Sequence, residues 1–213
     1  MMRSVLAYGD SLTWGYDPSS LSRHAYEDRW PNVLQVALGP SVNVIAEGLN
    51  GRTTAYDDHL ADCERNGAKL LPSILETHAP LDLVILMLGT NDLKRGPAGS
   101  AFAAVRGMKR LVNIVRYHVW SSDFDAPDIL LVAPPKVCGT ANAPFAAMFR
   151  DALEESAMLA SLYRDLADET GCGFFDAGSV AETTPLDGIH LDAENTRSVG
   201  RGLEPIVRMM LGL

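Results

Sequence analysis

The amino-acid sequence predicts a three-layer α/β fold, in which a five-stranded parallel β-sheet lies between two layers of α-helices. Short apolar runs alternate along the chain with longer segments that have the apolar spacing of amphipathic helices. The short runs are continuous instead of alternating with polar residues, which is typical of strands that are covered on both faces. A chain of 213 residues can bury a substantial core, and we expect one domain over residues 1–213.

Five apolar runs are predicted to form the strands of this sheet. They are Ser4–Tyr8, Val42–Ala46, Leu83–Leu88, Ile129–Ala133 and Gly173–Phe175. Because a helical segment follows each strand, consecutive strands should run parallel to one another. Five such units most often form a flavodoxin-like sheet with the strand order 2-1-3-4-5, which is the order we expect.

Three helical segments have apolar stripes that we interpret as core-facing. The first follows Pro97, and its stripe contains Phe102, Val105, Met108, Val112, Val115 and Val119. The second ends near Gly171, and its stripe contains Phe145, Phe149, Ala152, Leu159, Tyr163 and Leu166. The last runs from about Ala193 to Met210. The irregular segment from Pro134 to Pro144 is interpreted as a lid or an interface element.

The composition argues against several classes of partner. The net charge is −9 and the pI is about 4.9, so the chain lacks the basic surface that nucleic acids require. An anionic membrane would also repel it. Its three cysteines, Cys63, Cys138 and Cys172, form no C-x-x-C pair, which disfavours a disulfide framework and a zinc knuckle. We therefore expect no nucleic acid, no membrane and no metal as partners.

The sequence also predicts a cytoplasmic location. No apolar run approaches the length that a membrane-spanning helix needs. The N-terminus does not resemble a signal peptide, and cleavage of a leader would remove the candidate nucleophile Ser11.

Polar segments follow the first three predicted strands, and in the expected order these strands are neighbours. The segments are Gly9–Thr13, Glu47–Thr54 and Gly89–Asp92. Ligands of such sheets bind at the carboxyl ends of the strands, so the three segments should share one crevice. Ser11 would begin a turn with unpaired N–H groups, and Asn91 offers a neutral donor for an oxyanion. Each segment alone is equally typical of a helix cap, a strand-to-helix loop or a turn.

A fourth polar segment, Asp187–Leu191, lies near the C-terminus and contains His190. A serine hydroxyl needs an adjacent base, and a carboxylate on the far ring nitrogen orients the imidazole. Alone, an Asp-x-x-His pattern is also typical of a surface pair. The segment from Asp176 to Asp187 would have to return about 15 Å from the sheet edge, which its length allows. The other histidines, His24, His59, His78 and His118, are interpreted as surface or packing residues.

Taken together and in this order, the four segments resemble the SGNH, or GDSL-type, hydrolase family. The matching residues are Gly-Asp-Ser-Leu at 9–12, Gly51, Gly-Thr-Asn-Asp at 89–92 and Asp-Gly-Ile-His at 187–190. The resemblance implies that Ser11 is the nucleophile, His190 its base and Asp187 the residue that orients His190. It also implies an oxyanion hole formed by the N–H groups of Ser11 and Gly51 and by the Asn91 side chain. No metal or organic cofactor is implied.

Longer stretches are similar to a bacterial arylesterase and acyltransferase subgroup of this family. They are GDSLTWG (9–15), EGLNGRTT (47–54), LDLVILMLGTND (81–92), FFDAGS (174–179) and DGIHL (187–191). Members cleave short-chain acyl esters of aryl and simple alcohols, and some transfer the acyl group to an alcohol or to hydrogen peroxide. They tend to form multimers in which neighbouring subunits narrow the site. The resemblance therefore implies a small-molecule ester substrate and a homo-oligomer. Some members carry alanine where this chain has Gly51, and a backbone donor serves in either case.

The residues of the substrate pocket are less clear from the sequence. Trp14 and Tyr16 are predicted to wall an acyl or aryl pocket, although packing against the next helix would explain them equally well. Lys94 and Ile189 flank the predicted site and are further pocket candidates. A carbohydrate O-deacetylase and a lysophospholipase-type lipid hydrolase would use the same residues. A non-enzymatic ligand-binding module is a further alternative, and a fluorophosphonate that labels Ser11 would exclude it.

Overall fold

A computed structural model of the chain describes residues 2–121 and 123–213. The strands are β1 (Arg3–Gly9), β2 (Tyr16–Asp17), β3 (Ser22–Arg23), β4 (Val42–Gly48), β5 (Leu83–Met87), β6 (Asp128–Ala133) and β7 (Gly173–Asp176). The helices are α1 (Ser11–Trp14), α2 (Trp30–Leu38), α3 (Gly67–His78), α4 (Ala101–Tyr117), α5 (Ala143–Met148), α6 (Ala152–Thr170) and α7 (Ala193–Leu211).

Five parallel strands form the central sheet in the order β4-β1-β5-β6-β7, and β2 and β3 form a small antiparallel hairpin. Counted along the chain, the sheet strands have the order 2-1-3-4-5, so the predicted fold is confirmed. In the register of this sheet, Gly9 at the end of β1 lies beside Gly48 of β4 and Met87 of β5. The segments that follow these three strands therefore begin at the same edge of the sheet.

The sheet separates two hydrophobic layers because successive side chains of a strand point to opposite faces. In β1, Leu6 and Tyr8 pack with α3, α4 and α6, whereas Val5 and Ala7 pack with α2 and α7. All four side chains are completely buried. This explains why the central strands β1, β5 and β6 have continuous apolar runs instead of alternating with polar residues.

One of the predicted helical stripes needs correction. Phe102 and Val119 were expected in the core, but their side chains are 65% and 86% exposed. The buried face of α4 begins with Ala101 and Ala104, which places Phe102 on another face of the helix, and Val119 lies beyond its last residue, Tyr117.

The helix expected from Phe145 onwards is two helices, α5 and α6, which are separated at residues 149–151. It ends at Gly171, as predicted, and this glycine has the left-handed conformation of a helix C-cap. Over residues 2–121 and 123–213, no helix combines the length and the hydropathy that crossing a membrane requires.

Candidate active site

The candidate nucleophile lies in a tight turn at the end of β1. Asp10 caps α1, since its side chain accepts a hydrogen bond of 2.9 Å from the Leu12 N–H. Ser11 is therefore the first residue of this short helix, where backbone N–H groups have no partner within the helix. Its side chain is buried, so the hydroxyl lies at the bottom of a crevice.

The structure brings His190 and Asp187 to this hydroxyl. His190 Nε2 lies 2.9 Å from Ser11 Oγ, and His190 Nδ1 lies 2.6 Å from Asp187 Oδ2. An ionised carboxylate only accepts hydrogen bonds, so Nδ1 carries the proton and the lone pair of Nε2 faces the serine. The three side chains have the geometry of a nucleophile, its base and an orienting acid, although 179 positions separate Ser11 from His190.

Asp187 is held as a carboxylate by its surroundings. Burial alone would raise its pKa, but the hydrogen bond and the charge of His190 outweigh this effect. The N–H groups of Ile189 and His190 also donate to Asp187 Oδ1, at 3.0 and 2.9 Å. As a result, the pKa of Asp187 lies below its ordinary value. Both oxygens of its carboxylate accept hydrogen bonds within residues 187–191, the segment that carries His190 and is called the histidine loop below.

The segment from Pro134 to Pro144, interpreted above as a lid or an interface element, braces the histidine loop. The Cys138 N–H donates to the Gly188 carbonyl at 2.9 Å, and the Thr183 hydroxyl donates to the Lys136 carbonyl at 2.9 Å. On the other side, His24 Nε2 lies 3.0 Å from the Leu191 carbonyl, so this histidine is a packing residue, as expected. These contacts fix the return of the chain from the edge strand β7 to the crevice.

Backbone and amide donors surround the space in front of Ser11. Within the described residues, the N–H groups of Ser11 and Gly51 donate no hydrogen bond. Asn91 Nδ2 donates to Asp10 Oδ2 at 3.2 Å and to the Arg52 carbonyl at 3.1 Å. An oxyanion at this point would meet two unused N–H groups. The Asn91 amide is oriented by its neighbours, but both of its N–H bonds already have acceptors, so it could donate to an oxyanion only by sharing or releasing one of them.

Sequence reasoning gave no role to the buried charges behind these donors. The Arg52 guanidinium lies 4.1 Å from the centre of the Tyr8 ring and donates to the Gly9 carbonyl at 2.9 Å. Asp92 accepts hydrogen bonds from the N–H and the hydroxyl of Thr54. Together they tie the loop after β4 to β1 and to the loop after β5. Arg52 lies in the motif EGLNGRTT and Asp92 in the motif GTND, so the motifs pointed to these residues. The sequence alone does not show that their side chains are buried.

Burial also raises the pKa of two carboxyl groups in this region. Burial raises the pKa of Asp10 to about 6, although the hydrogen bond from the Leu12 N–H and nearby positive charges lower it. It raises the pKa of Asp92 to about 7, although the hydrogen bonds from Thr54 lower it. Removal from water is the largest effect in both cases, because it disfavours the charged form.

A cavity of about 210 Å³ opens in front of the serine. Its lining residues are Ser11, Tyr16, Asn50, Gly51, Asn91, Lys94, Phe145, Met148, Phe149, Ile189 and His190. Of the four pocket candidates, Tyr16, Lys94 and Ile189 line this cavity. Trp14 does not, which corrects its predicted place: its ring lies under the guanidinium of Arg23, 4.7 Å from the ring centre.

The aromatic wall of the cavity was not recognised as such from the sequence. Phe145, Met148 and Phe149 come from α5 and the residue after it, and the two phenylalanines were assigned to a core-facing stripe. The Phe145 ring stands edge-on to the His190 ring at 6.0 Å, and the Tyr16 ring lies 4.4 Å from it. The imidazole of His190 therefore lies beside two aromatic rings.

No metal centre accompanies this arrangement in the part of the chain that the structure describes. There, no group of three or more His, Cys, Asp or Glu side chains is placed to hold a metal ion.

Comparisons with known proteins identify the family of the chain. The profile of the GDSL-like lipase/acylhydrolase family matches residues 7–196. The structure of a carbohydrate acetylesterase family member from Sinorhizobium meliloti is 68% identical in sequence, with a TM-score of 0.98 and 100% of each chain covered. No curated protein matches the chain.

Two further solved structures are similar over nearly the whole chain. A protein from Agrobacterium tumefaciens that is assigned as an arylesterase is 51% identical, with a TM-score of 0.93, and the match covers 98% of this chain and 100% of that one. The aryl esterase of M. smegmatis is 40% identical, with a TM-score of 0.91, and the match covers 98% and 99%.

Proposed function

The chain belongs to the GDSL-like lipase/acylhydrolase family and is a carboxylic ester hydrolase, and we propose that it cleaves short-chain acyl esters through an acyl-enzyme on Ser11. The observation that carries this proposal is the line of contacts from Ser11 Oγ to His190 Nε2 at 2.9 Å and from His190 Nδ1 to Asp187 Oδ2 at 2.6 Å. A hydroxyl, a base and an orienting carboxylate in this geometry suit nucleophilic acyl transfer.

In the proposed reaction, Ser11 Oγ attacks the ester carbonyl while His190 Nε2 takes the hydroxyl proton. The negative charge of the tetrahedral intermediate is stabilised by the N–H groups of Ser11 and Gly51 and by the Asn91 amide, which turns one N–H from its present acceptor, Asp10 Oδ2 or the Arg52 carbonyl, toward the oxyanion. As the intermediate collapses, the bond to the alcohol breaks and His190 gives its proton to the departing oxygen. A water molecule then attacks the acyl-enzyme by the same steps, which releases the acid and restores Ser11.

The cavity supports a small ester as the substrate. Its volume of about 210 Å³ and its wall of Tyr16, Phe145 and Phe149 suit a short acyl chain and an aryl or other compact alcohol. The volume of this cavity is small for a long lipid chain, which disfavours a lysophospholipase-type activity. Acyl transfer to an alcohol or to hydrogen peroxide stays a prediction from the family resemblance.

A carbohydrate O-deacetylase is the second candidate. It is favoured by the carbohydrate acetylesterase family member that is 68% identical to this chain. Since the acetyl group and the reacting atoms would be the same, the two candidates differ only in the alcohol. Acetylated sugars and aryl acetates, compared at equal concentration, would distinguish them.

The direct test of the mechanism is a series of p-nitrophenyl esters from acetate to palmitate. We expect the highest kcat/KM for the shortest acyl chains. Ser11→Ala should lower kcat by about 10⁴-fold to 10⁶-fold, with the fold intact by circular dichroism. It should also abolish labelling by a fluorophosphonate. Unchanged turnover in Ser11→Ala would exclude the mechanism.

Two predictions concern the surroundings of the protein. We propose a homo-oligomer on the family resemblance, and a location in the cytoplasm because the three cysteines are free thiols, which suit a reducing compartment. Size-exclusion chromatography with light scattering would give the number of subunits, and a monomer at assay concentrations would contradict the first prediction.

A further inference from the structure

The polar wall of the catalytic cavity carries positive charge. Lys94 lines the cavity, and its Nζ lies 4.0 Å from the position that a Cβ atom on Gly51 would occupy. The Arg65 side chain lies near the same position, with Cδ and Nε each 3.7 Å from the Cβ atom that Gly51 would carry. Two cationic side chains therefore lie beside the proposed oxyanion donor Gly51, in a protein whose net charge is −9.

Neither cation is in direct contact with an acidic side chain. Within the described residues, Lys94 and Arg65 form no ion pair within 4.0 Å, and their side chains donate no hydrogen bond to a protein acceptor. By contrast, the ammonium groups of Lys69 and Lys109 bind carboxylates. Burial lowers the pKa of Lys94 more than the charges of Asp58, Asp10 and Asp92, none of them in contact with it, raise this pKa.

A purely structural explanation would be that Lys94 offsets the carboxyl groups of Asp58, Asp10 and Asp92, which act on it at a distance. Each of these groups has another hydrogen-bond partner: Asp58 accepts from the Leu60 N–H, Asp92 from Thr54, and Asp10 from the Leu12 N–H and the Asn91 amide. None of them forms an ion pair with Lys94. Lys94 lines the cavity, and its Nζ has only a distant aromatic contact, 5.8 Å from the centre of the Phe149 ring.

A partly buried cation without a partner is costly, and the cost is offset if a ligand supplies the opposite charge. We propose that the preferred substrates are esters with an anionic group, such as a carboxylate, close to the reacting carbonyl, and that Lys94, assisted by Arg65, binds this group. The inference rests on the proposed function and narrows its substrate class. Lys94 and Arg65 act here in recognition, and the bond-breaking steps are unchanged.

The anionic group can belong to either half of the ester, and two matched pairs of substrates distinguish these cases. In the first pair, 4-acetoxybenzoate carries the charge on the departing alcohol, and its methyl ester is the neutral match. In the second pair, monophenyl succinate carries the charge on the acyl group, and phenyl pentanoate is the neutral match. The quantity measured is the ratio of kcat/KM for the charged and the neutral member, with products separated by chromatography.

In the wild-type enzyme we expect the charged member of one pair to be the better substrate. Lys94→Met should lower that ratio about tenfold, the effect of losing one hydrogen bond to a charged group. Arg65→Met should lower it less, and Lys94→Arg, which keeps the charge, should retain the preference. Lys109→Met is the matched control, because Lys109 is exposed and paired with Glu169 outside the cavity. High salt should reduce the ratio in the wild type but not in Lys94→Met.

The inference is overturned if the ratio is the same in the wild type and in Lys94→Met, or if the wild type prefers the neutral ester in both pairs. In either case hydrolysis of the neutral esters would leave the proposed function intact. Failure to hydrolyse any ester would instead refute the proposed function itself.

Discussion

Asp187 is the residue on which the order of the candidate site depends most. One carboxylate oxygen accepts the N–H groups of Ile189 and His190, and the other accepts the proton of His190 Nδ1. The carboxylate of Asp187 therefore determines both the conformation of the histidine loop and the tautomer of the His190 imidazole. Because the pKa of Asp187 is lowered, this carboxylate stays ionised under ordinary assay conditions.

Asp187→Asn should therefore impair the chemical step more than substrate binding. An amide can donate to Nδ1 and favour the wrong tautomer, for which a loss of about 10⁴ in kcat is expected. KM for p-nitrophenyl acetate should change much less. Asp176→Asn is the control, since Asp176 accepts the Gly178 N–H away from the cavity. An Asp187→Asn enzyme with nearly normal kcat would mean that Asp187 does not orient the base.

Gly188 permits the turn between Asp187 and His190 for two separate reasons. Its φ of +82° favours glycine, and a Cβ atom would lie 2.5 Å from the Cys138 carbonyl oxygen. Gly188→Ala should lower the free energy of unfolding by about 2–4 kcal/mol and displace His190.

Gly171→Ala separates the cost of the positive φ from the cost of the close contact. Gly171 has a similar φ of +65°, but nothing lies within 4 Å of its Cβ position, so only the backbone cost of about 1–2 kcal/mol should appear. Urea denaturation and kcat would be measured for both variants. Equal stability losses would show that the contact with Cys138 is unimportant.

At the scale of secondary structure, the sequence predicted the strands well and one helix poorly. Short continuous apolar runs that alternate with longer helical segments are typical of buried parallel strands, so the central sheet and its order could be predicted. The break between α5 and α6 could not, because Phe145 and Phe149 continue the apolar spacing of α6. An apolar residue that lines a cavity has the same pattern in sequence as one that lines the core.

Because α5 contains no buried residue, we expect it to tolerate changes that reshape the cavity. Met148→Ala should remove part of the wall and raise the ratio of kcat/KM for p-nitrophenyl hexanoate over acetate about tenfold. The melting temperature should hardly change, since Met148 is already 44% exposed. Met158→Ala on α6, which is 43% exposed and outside the cavity, is the matched control. An unchanged ratio would show that Met148 does not limit the length of the substrate.

At the scale of the whole molecule, the site could be predicted because parallel strands end at one edge of the sheet. Ser11, Gly51 and Asn91 follow three neighbouring strands, so their approach is a consequence of strand order. The position of His190 depends on a long return from the edge strand and on contacts with residues 136–138, for which the sequence had no signal. The burial of Asp10 and Asp92 beneath these loops was likewise invisible, since it depends on the packing of all three loops.

These two buried carboxyl groups should make the stability of the protein depend on pH. The pKa of each is raised from 3.8, to about 6 for Asp10 and to about 7 for Asp92. Between about pH 4 and about pH 7 the folded state therefore binds more protons than the unfolded state, and the free energy of unfolding should fall as the pH rises. The stabilisation is complete below the unfolded pKa and is lost above about pH 7.

Asp92→Asn should remove much of this dependence, because an amide keeps the shape of the protonated carboxyl and does not titrate. From about pH 4.5 to about pH 7.5 we expect the wild type to lose on the order of 5 kcal/mol through the two groups, and the variant about 2 kcal/mol, through Asp10 alone. Asp17→Asn is the control: its pKa is lowered to about 2, so its contribution is lost only as the pH falls below about 4. Urea denaturation at several pH values gives the slopes, and equal slopes in the wild type and Asp92→Asn would mean that Asp92 remains ionised in the folded protein throughout this range.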